Sequence, residues 1–165
     1  MLKPLKTTHA MKHLLIISLL FLTTITFGQE SESNLKWLTN LEEAEGLSKA
    51  TSKPILMYFT GSDWCAPCIA LKKDFFEAEA FAAKADDFVL VMIDYPRRMD
   101  VISEEQLAYN KKIVAKYNTN KSFPKVLVLN SKGKELGKLS GYSSYNTYQD
   151  TSYHLAFVEK YAGSN

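Results

Sequence analysis

Apolar positions along the chain follow two rhythms. Leu41, Ala44 and Leu47 share one face of a helix that Thr39 or Asn40 can cap, with Glu42 and Glu43 in its first turn and Ser52-Lys53-Pro54 as its stop. Residues 55–59 form an unbroken apolar run, the pattern of a strand buried on both faces. After a loop over 60–63, a helix is expected from about Cys65 through Leu71 to Phe76. Pro67 is tolerated there because first-turn N–H groups have no intrahelical partner. A helical piece over 79–85 precedes a second buried strand, 88–94, and a loop, 95–101. Ser103 with Gln106 reads as a capping box for a helix reaching about Tyr117. After a polar loop, 118–122, comes a third strand, 126–129; a hairpin turn at 130–133 leads to its partner, 135–139. A last helix is expected from about Thr147 to Tyr161. Strands alternate with helices, then a hairpin and a helix close the chain, so the fold class is α/β: a mixed sheet covered by helices on both faces.

The first 28 residues break this pattern. Lys3, Lys6 and Lys12 precede an apolar run from Leu14 to Phe27, with Thr26 and Gly28 where a signal peptidase would read. Met11 is a second plausible start. The run is short for a bilayer span of roughly 17–25 apolar residues, and Ser18, Thr23, Thr24 and Thr26 interrupt it. Residues 1–28 are therefore expected to be a cleaved signal peptide, and 29–165 one domain, exported to a periplasm or secreted. The 165-residue chain carries 20 basic and 18 acidic residues; three of the basic ones and no acidic one lie in the leader, so the remainder is formally −1. The basic surplus belongs to the leader and gives no argument for nucleic acid.

Both cysteines, Cys65 and Cys68, lie outside the leader. An exported protein lives where disulfides persist, yet two cysteines this close in sequence close too small a loop to stabilise a fold by chain entropy. Their place at a strand–loop–helix junction suits chemistry better. Free N–H groups and the positive dipole end of a helix favour thiolate over thiol, which makes Cys65 the candidate nucleophile. Cys68, one turn on, can attack Cys65 and release a bound partner. A structural zinc site wants four ligands; His154 is the sole histidine outside the leader, so no metal site is expected, and no cofactor is called for.

Trp64-Cys65-Ala66-Pro67-Cys68 after a buried strand, and Phe123-Pro124 before a strand and hairpin, resemble the thioredoxin superfamily over about residues 36–161. Lys53-Pro54-Ile55-Leu56, the run Thr60 to Cys65 and Ile93-Asp94-Tyr95-Pro96 are most similar to exported bacterial thioredoxin-like proteins and to the thioredoxin-like domain of periplasmic disulfide reductases. The resemblance implies a thioredoxin fold with a central mixed sheet of four or five strands flanked by helices. It implies a cis-proline at Pro124 facing the cysteines, with the Phe123 backbone free to pair with an extended substrate. Trp64, Ala66, Pro67, Phe123 and Pro124 are thus the candidate substrate-binding residues, and Cys65 and Cys68 the catalytic pair.

Two positions depart from the family pattern. Tyr58 stands where thioredoxins usually bury an acid, and a tyrosine is a poor proton acceptor near neutral pH. Lys125 follows the cis-proline where Thr is common. Asp63 reads as a solvated loop carboxylate, 95–101 as a plain surface loop, and most of the C-terminal tyrosines (Tyr142, Tyr145, Tyr148, Tyr153, Tyr161) as packing with surface hydroxyls.

The resulting expectation is a monomeric, exported thiol-disulfide oxidoreductase that reduces protein or small-molecule disulfides and is recharged by an upstream redox partner. Pro67 before the second cysteine resembles the reducing members. An oxidase or isomerase, and a binding module with dispensable cysteines, are the alternatives.

Overall fold

The computed structural model of the protein describes residues 35–143 and 149–164. In chain order its elements are α1 (Leu41–Thr51), β1 (Ile55–Thr60), α2 (Ala66–Leu71), a π-helical turn (Lys72–Phe76), α3 (Glu79–Ala85), β2 (Val89–Asp94), α4 (Glu104–Tyr117), β3 (Lys125–Leu129), β4 (Glu135–Ser140) and α5 (Ser152–Tyr161). The strands form one sheet in the order β2-β1-β3-β4, with β1 parallel to β2 and antiparallel to β3, and β3 antiparallel to β4. A fifth segment contributes a single bridge. The Leu38 N–H donates to the Leu90 carbonyl at 2.9 Å, and the Met92 N–H to the Leu38 carbonyl at 2.8 Å. The sheet is mixed and helix-flanked, as the residue pattern implies, with four full strands.

All six residues of the central strand β1 are buried, and strand geometry sends them alternately to opposite faces. Leu56 and Tyr58 join Cys65, Cys68, Phe75, Phe81, Val126 and Val128 in one apolar cluster. Ile55, Met57 and Phe59 join Leu41, Ala44, Ile113 and Leu127 in the other. The helical segments from α2 to α3, together with α5, therefore cover the face that holds the cysteines, and α1 and α4 cover the opposite one.

Local chemistry explains the helix ends. Asn40 caps α1, its Oδ1 accepting from the Glu43 N–H at 2.8 Å. Ser103 caps α4, accepting from the Gln106 N–H at 3.1 Å. Among the described residues the reciprocal bond from the Ser103 N–H to the Gln106 side chain is not formed, and Gln106 Nε2 donates to the Thr39 carbonyl (3.0 Å) and to Asn110 Oδ1 (2.8 Å). That choice ties α4 to the chain entering α1. The buried stripe of α1 is Leu41, Ala44 and Ser48, whereas Leu47 is 41% exposed, contrary to the apolar pattern. Ser48 tolerates burial because its Oγ donates to the Lys53 carbonyl at 2.5 Å.

The expected single helix from Cys65 to Phe76 changes register at Lys72, where a wider turn begins and the Glu77 N–H reaches back to the Lys72 carbonyl at 3.0 Å. The turn delivers both Phe75 and Phe76 to the core. The last helix starts at Ser152; the earlier start expected near Thr147 lies outside the described residues. Among the described residues, no helix is long and apolar enough to cross a membrane.

Candidate functional site

β1 ends at Thr60, the chain turns through 61–64, and α2 begins with Ala66 and Pro67 at its first two positions. Cys65 occupies the cap of α2 and is joined to Cys68 by a disulfide, with the two Cα atoms 5.2 Å apart. The Cys68 N–H lies 3.3 Å from Cys65 Sγ and 2.9 Å from the Cys65 carbonyl. An amide donor at a helix N-terminus, aimed at a sulfur, favours negative charge on that sulfur once the bond is reduced. Cys68 is wholly buried and Cys65 is 3% exposed, so an incoming disulfide has to be brought over Cys65 by the residues around it. Ala66 is exposed beside it; Trp64, Pro67 and Phe123 are half-buried.

Tyr58 lies beneath the pair. Its hydroxyl donates to the Cys68 carbonyl at 2.9 Å, and its ring packs on Phe76 at 4.6 Å and Trp37 at 6.2 Å. Burial, with a smaller contribution from the Asp94 charge, pushes its phenol well above the ordinary range. The group standing where an acid is usual is thus neutral and already committed as a donor.

The loop 95–101 is a surface loop, as expected, exposed over 97–101, and its first residues are tied to the cysteine loop. Trp64 Nε1 donates to the Tyr95 carbonyl at 2.8 Å. Asp63 accepts from the Arg97 N–H (3.0 and 3.1 Å) and the Arg98 N–H (2.8 Å). Desolvation is the largest single influence on its carboxyl and acts upward, but the two amides and the Arg98 charge together outweigh it and hold the carboxyl below the usual range. Asp63 is thus a solvated loop carboxylate, as expected, and it also clasps the loop 95–101. Asp94, at the end of β2, fixes the other side by accepting from the Ser62 N–H at 2.9 Å and the Ser62 hydroxyl at 2.5 Å. The Arg97 guanidinium lies over the Trp64 ring, 4.5 Å from its centroid, a pairing that no periodicity in the sequence announces.

The Phe123–Pro124 peptide bond is cis. Phe123 meets Trp64 edge-on at 5.5 Å and Tyr95 at 6.0 Å, which brings the chain before β3 to the cysteine loop. Among the described residues no hydrogen bond engages the Phe123 N–H or carbonyl. Lys125 pairs in register with Phe59 and so lies on the sheet face away from the cysteines. Its Nζ donates to the Tyr117 carbonyl at 2.6 Å, at the C-terminal end of α4 where a cation is favoured; burial pulls its pKa down. Tyr142 is buried with both hydroxyl roles in use, donating to Asp74 Oδ2 at 2.5 Å and accepting from the Gln149 N–H at 2.8 Å, so its hydroxyl is not at the surface. Tyr153 is exposed, and Tyr145 and Tyr148 lie outside the described residues. Among the described residues, no group of three or more His, Cys, Asp or Glu could hold a metal ion.

A buried helix-cap cysteine, its partner one turn later and a cis-proline just before β3 are the elements of a thioredoxin-type dithiol site. Residues 36–131 match the model of the thioredoxin-like family, and the chain belongs to that family. It is 32% identical over 108 residues to disulfide bond reductase DsbH of Chlamydia pneumoniae, a match covering 65% of this chain and 63% of that protein. It is 25% identical over 134 residues to thioredoxin-related protein DsbJ of the same organism, covering 79% of this chain and 37% of that one. The chain thus spans less than two thirds of the length of either relative. A solved structure titled DsbH oxidoreductase superposes with a TM-score of 0.65 at 27% identity, over 80% of this chain and 87% of that one.

Proposed function

We propose that the protein is an exported thiol-disulfide oxidoreductase that reduces disulfides through Cys65 and Cys68. The observation that carries this reading is the Cys65–Cys68 disulfide at the cap of α2, with the Cys68 N–H on Cys65 Sγ. The similarity to a disulfide bond reductase supports the reducing direction. In the forward reaction the Cys65 thiolate attacks one sulfur of a substrate disulfide. That bond breaks, the second substrate sulfur leaves as a thiolate, and a mixed disulfide forms. Cys68 then loses its proton and attacks Cys65 Sγ, which expels the first substrate sulfur. Two electrons pass to the substrate, its two thiolates take up protons, and Cys65–Cys68 is left oxidised. A dithiol reductant, the upstream redox partner, returns it to the start by the same exchange.

Trp64, Ala66 and Pro67 flank Cys65 in sequence, Phe123 reaches them through its contact with Trp64, and these residues with Pro124 form the surface that takes the substrate. The open Phe123 N–H and carbonyl suit an extended segment, which would pair with them as a short strand. Residues 1–28 act as the export signal, so sequencing of the protein from its native host should begin near Gln29.

A Cys68→Ala variant tests the reaction. It can form the mixed disulfide but cannot resolve it, so substrates stay attached to Cys65 and are released by dithiothreitol. A Cys65→Ser, Cys68→Ser variant that binds partners as well as the native protein would replace the enzyme by a binding module.

A further inference from the structure

Among the described residues, Arg97 is the cation that packs on the ring next to Cys65 in sequence. Its guanidinium lies 4.5 Å from the ring centroid of Trp64, the residue immediately before Cys65. The backbone beneath it is clasped by Asp63 through the Arg97 and Arg98 amides, and the ring beneath it by the Trp64 Nε1 bond to the Tyr95 carbonyl. A long side chain held over a ring has less freedom to lose when it takes a ligand.

The neighbouring charged side chains each have hydrogen-bond partners, although Asp63 and Asp94 keep their negative charge. Arg98 pairs with Asp100, Asp94 accepts from Ser62, and Asp63 accepts the two loop amides. Among the described residues no ion pair takes up Arg97. Its forked N–H donors remain available, and the group they match best is a carboxylate. The reacting sulfur adds a reason. A substrate carboxylate close to its disulfide meets the Cys65 thiolate as a like charge, and a cation beside Trp64 offsets that repulsion.

We propose that Arg97 is a specificity-determining residue, which selects substrates carrying an acidic side chain next to the disulfide that Cys65 attacks. This rests on the proposed reducing function and names the class of substrate for it. The selection comes from local pairing rather than from the field of the whole protein, whose net charge outside the leader is close to zero.

The test uses the full chain, reduced with dithiothreitol and then freed of it. Two synthetic peptides, identical except for Glu or Gln on either side of an intramolecular disulfide, are mixed with it in single-turnover experiments at low ionic strength. The Glu peptide should be reduced about two- to fivefold faster, the scale of an exposed charge pair. Arg97→Gln should bring the two rates together, while Arg98→Gln, which alters a side chain already paired with Asp100, should keep the preference. Equal rates in the native protein, or a preference that survives Arg97→Gln, overturns the proposal. Docking is read separately by fluorescence anisotropy, with labelled peptides that carry Ser in place of both cysteines. Tighter binding of the Glu form to the native protein but not to Arg97→Gln upholds the proposal even if neither disulfide is reduced, in which case the reducing function alone fails. Equal binding of both forms overturns it.

Discussion

The Tyr58 hydroxyl donates to the Cys68 carbonyl at 2.9 Å, at the position from which an acid could otherwise take the Cys68 proton. The same carbonyl also accepts from the Lys72 N–H, so the phenol adds a second bond to an atom that already has one. Tyr58→Phe should therefore cost about 1 kcal/mol of stability, the ordinary net value of one hydrogen bond. It should leave the decay of a mixed disulfide on Cys65 unchanged, because a phenol raised by burial is not a base near neutral pH. Tyr58→Asp should lose roughly 3 kcal/mol or more through the missing ring and the buried carboxylate, yet resolve mixed disulfides faster. Stopped-flow measurement of that decay decides the matter. A tenfold slowing in Tyr58→Phe would make the hydroxyl itself the proton acceptor.

The two sulfurs should differ in reactivity. The amide aimed at Cys65 Sγ favours its thiolate, whereas Cys68 is wholly buried. In the reduced protein, alkylation should occur first at Cys65, with a midpoint below the free value of about 8.5. Rates of iodoacetamide modification against pH, with the modified residue read by mass spectrometry, give the answer. Modification of Cys68 first, or a Cys65 midpoint at the free value, would show that the helix terminus does not activate it.

The Asp63 clasp makes a separate prediction. Asp63→Ala removes the acceptor of two loop amides without touching the cysteines. Hydrogen exchange at Arg97 and Arg98 should speed up, while exchange within β1 and β3 stays as it was. Unchanged protection at both arginines would mean that the Trp64 bond to Tyr95 holds the loop by itself.

How far the fold is legible in the residues shows in α1. The runs that make β1 and β2 are apolar up to their last residues, Thr60 and Asp94, so they read as buried strands. In a helix the buried stripe has two edges, and Leu47 and Ser48 stand on opposite edges of it. Apolarity favours Leu47, but the bond from Ser48 to the Lys53 carbonyl reverses the choice, and that partner is visible only once the chain has turned. The site divides in the same way. The dithiol and Pro124 follow from a motif, whereas the Asp63 clasp and the Arg97–Trp64 contact depend on a loop that carries no repeat. Leu47→Ala should accordingly cost less than about 1 kcal/mol, and Leu41→Ala roughly 2–5 kcal/mol, as a buried leucine does. Urea denaturation of both variants tests the assignment, and comparable losses would restore Leu47 to the core.

Stability should also depend on pH through His154. The residue is 2% exposed on α5, its Nδ1 has no hydrogen-bond partner among the described residues, and its ring lies 5.5 Å from Phe75 and 5.6 Å from Tyr142. Burial disfavours the charged form and pulls its pKa down to about 4, from an ordinary value near 6.5. The unfolded chain, where the ordinary value applies, therefore binds more protons than the folded one between those two values. Stability is complete above about pH 6.5 and falls as the pH drops toward 4. The loss between pH 7 and pH 4 amounts to about 3 kcal/mol. Asp63, Asp100, Asp150 and Glu42, held below their ordinary range by their hydrogen bonds, add losses of their own mainly below about pH 4.5. Between pH 4.5 and 6.5 the slope thus belongs mainly to His154. His154→Leu keeps an apolar side chain between the two rings and removes the titration. Urea midpoints measured across this window should fall with pH in the native protein and stay nearly level in the variant. The same slope in both would mean that His154 is protonated in the folded state without penalty.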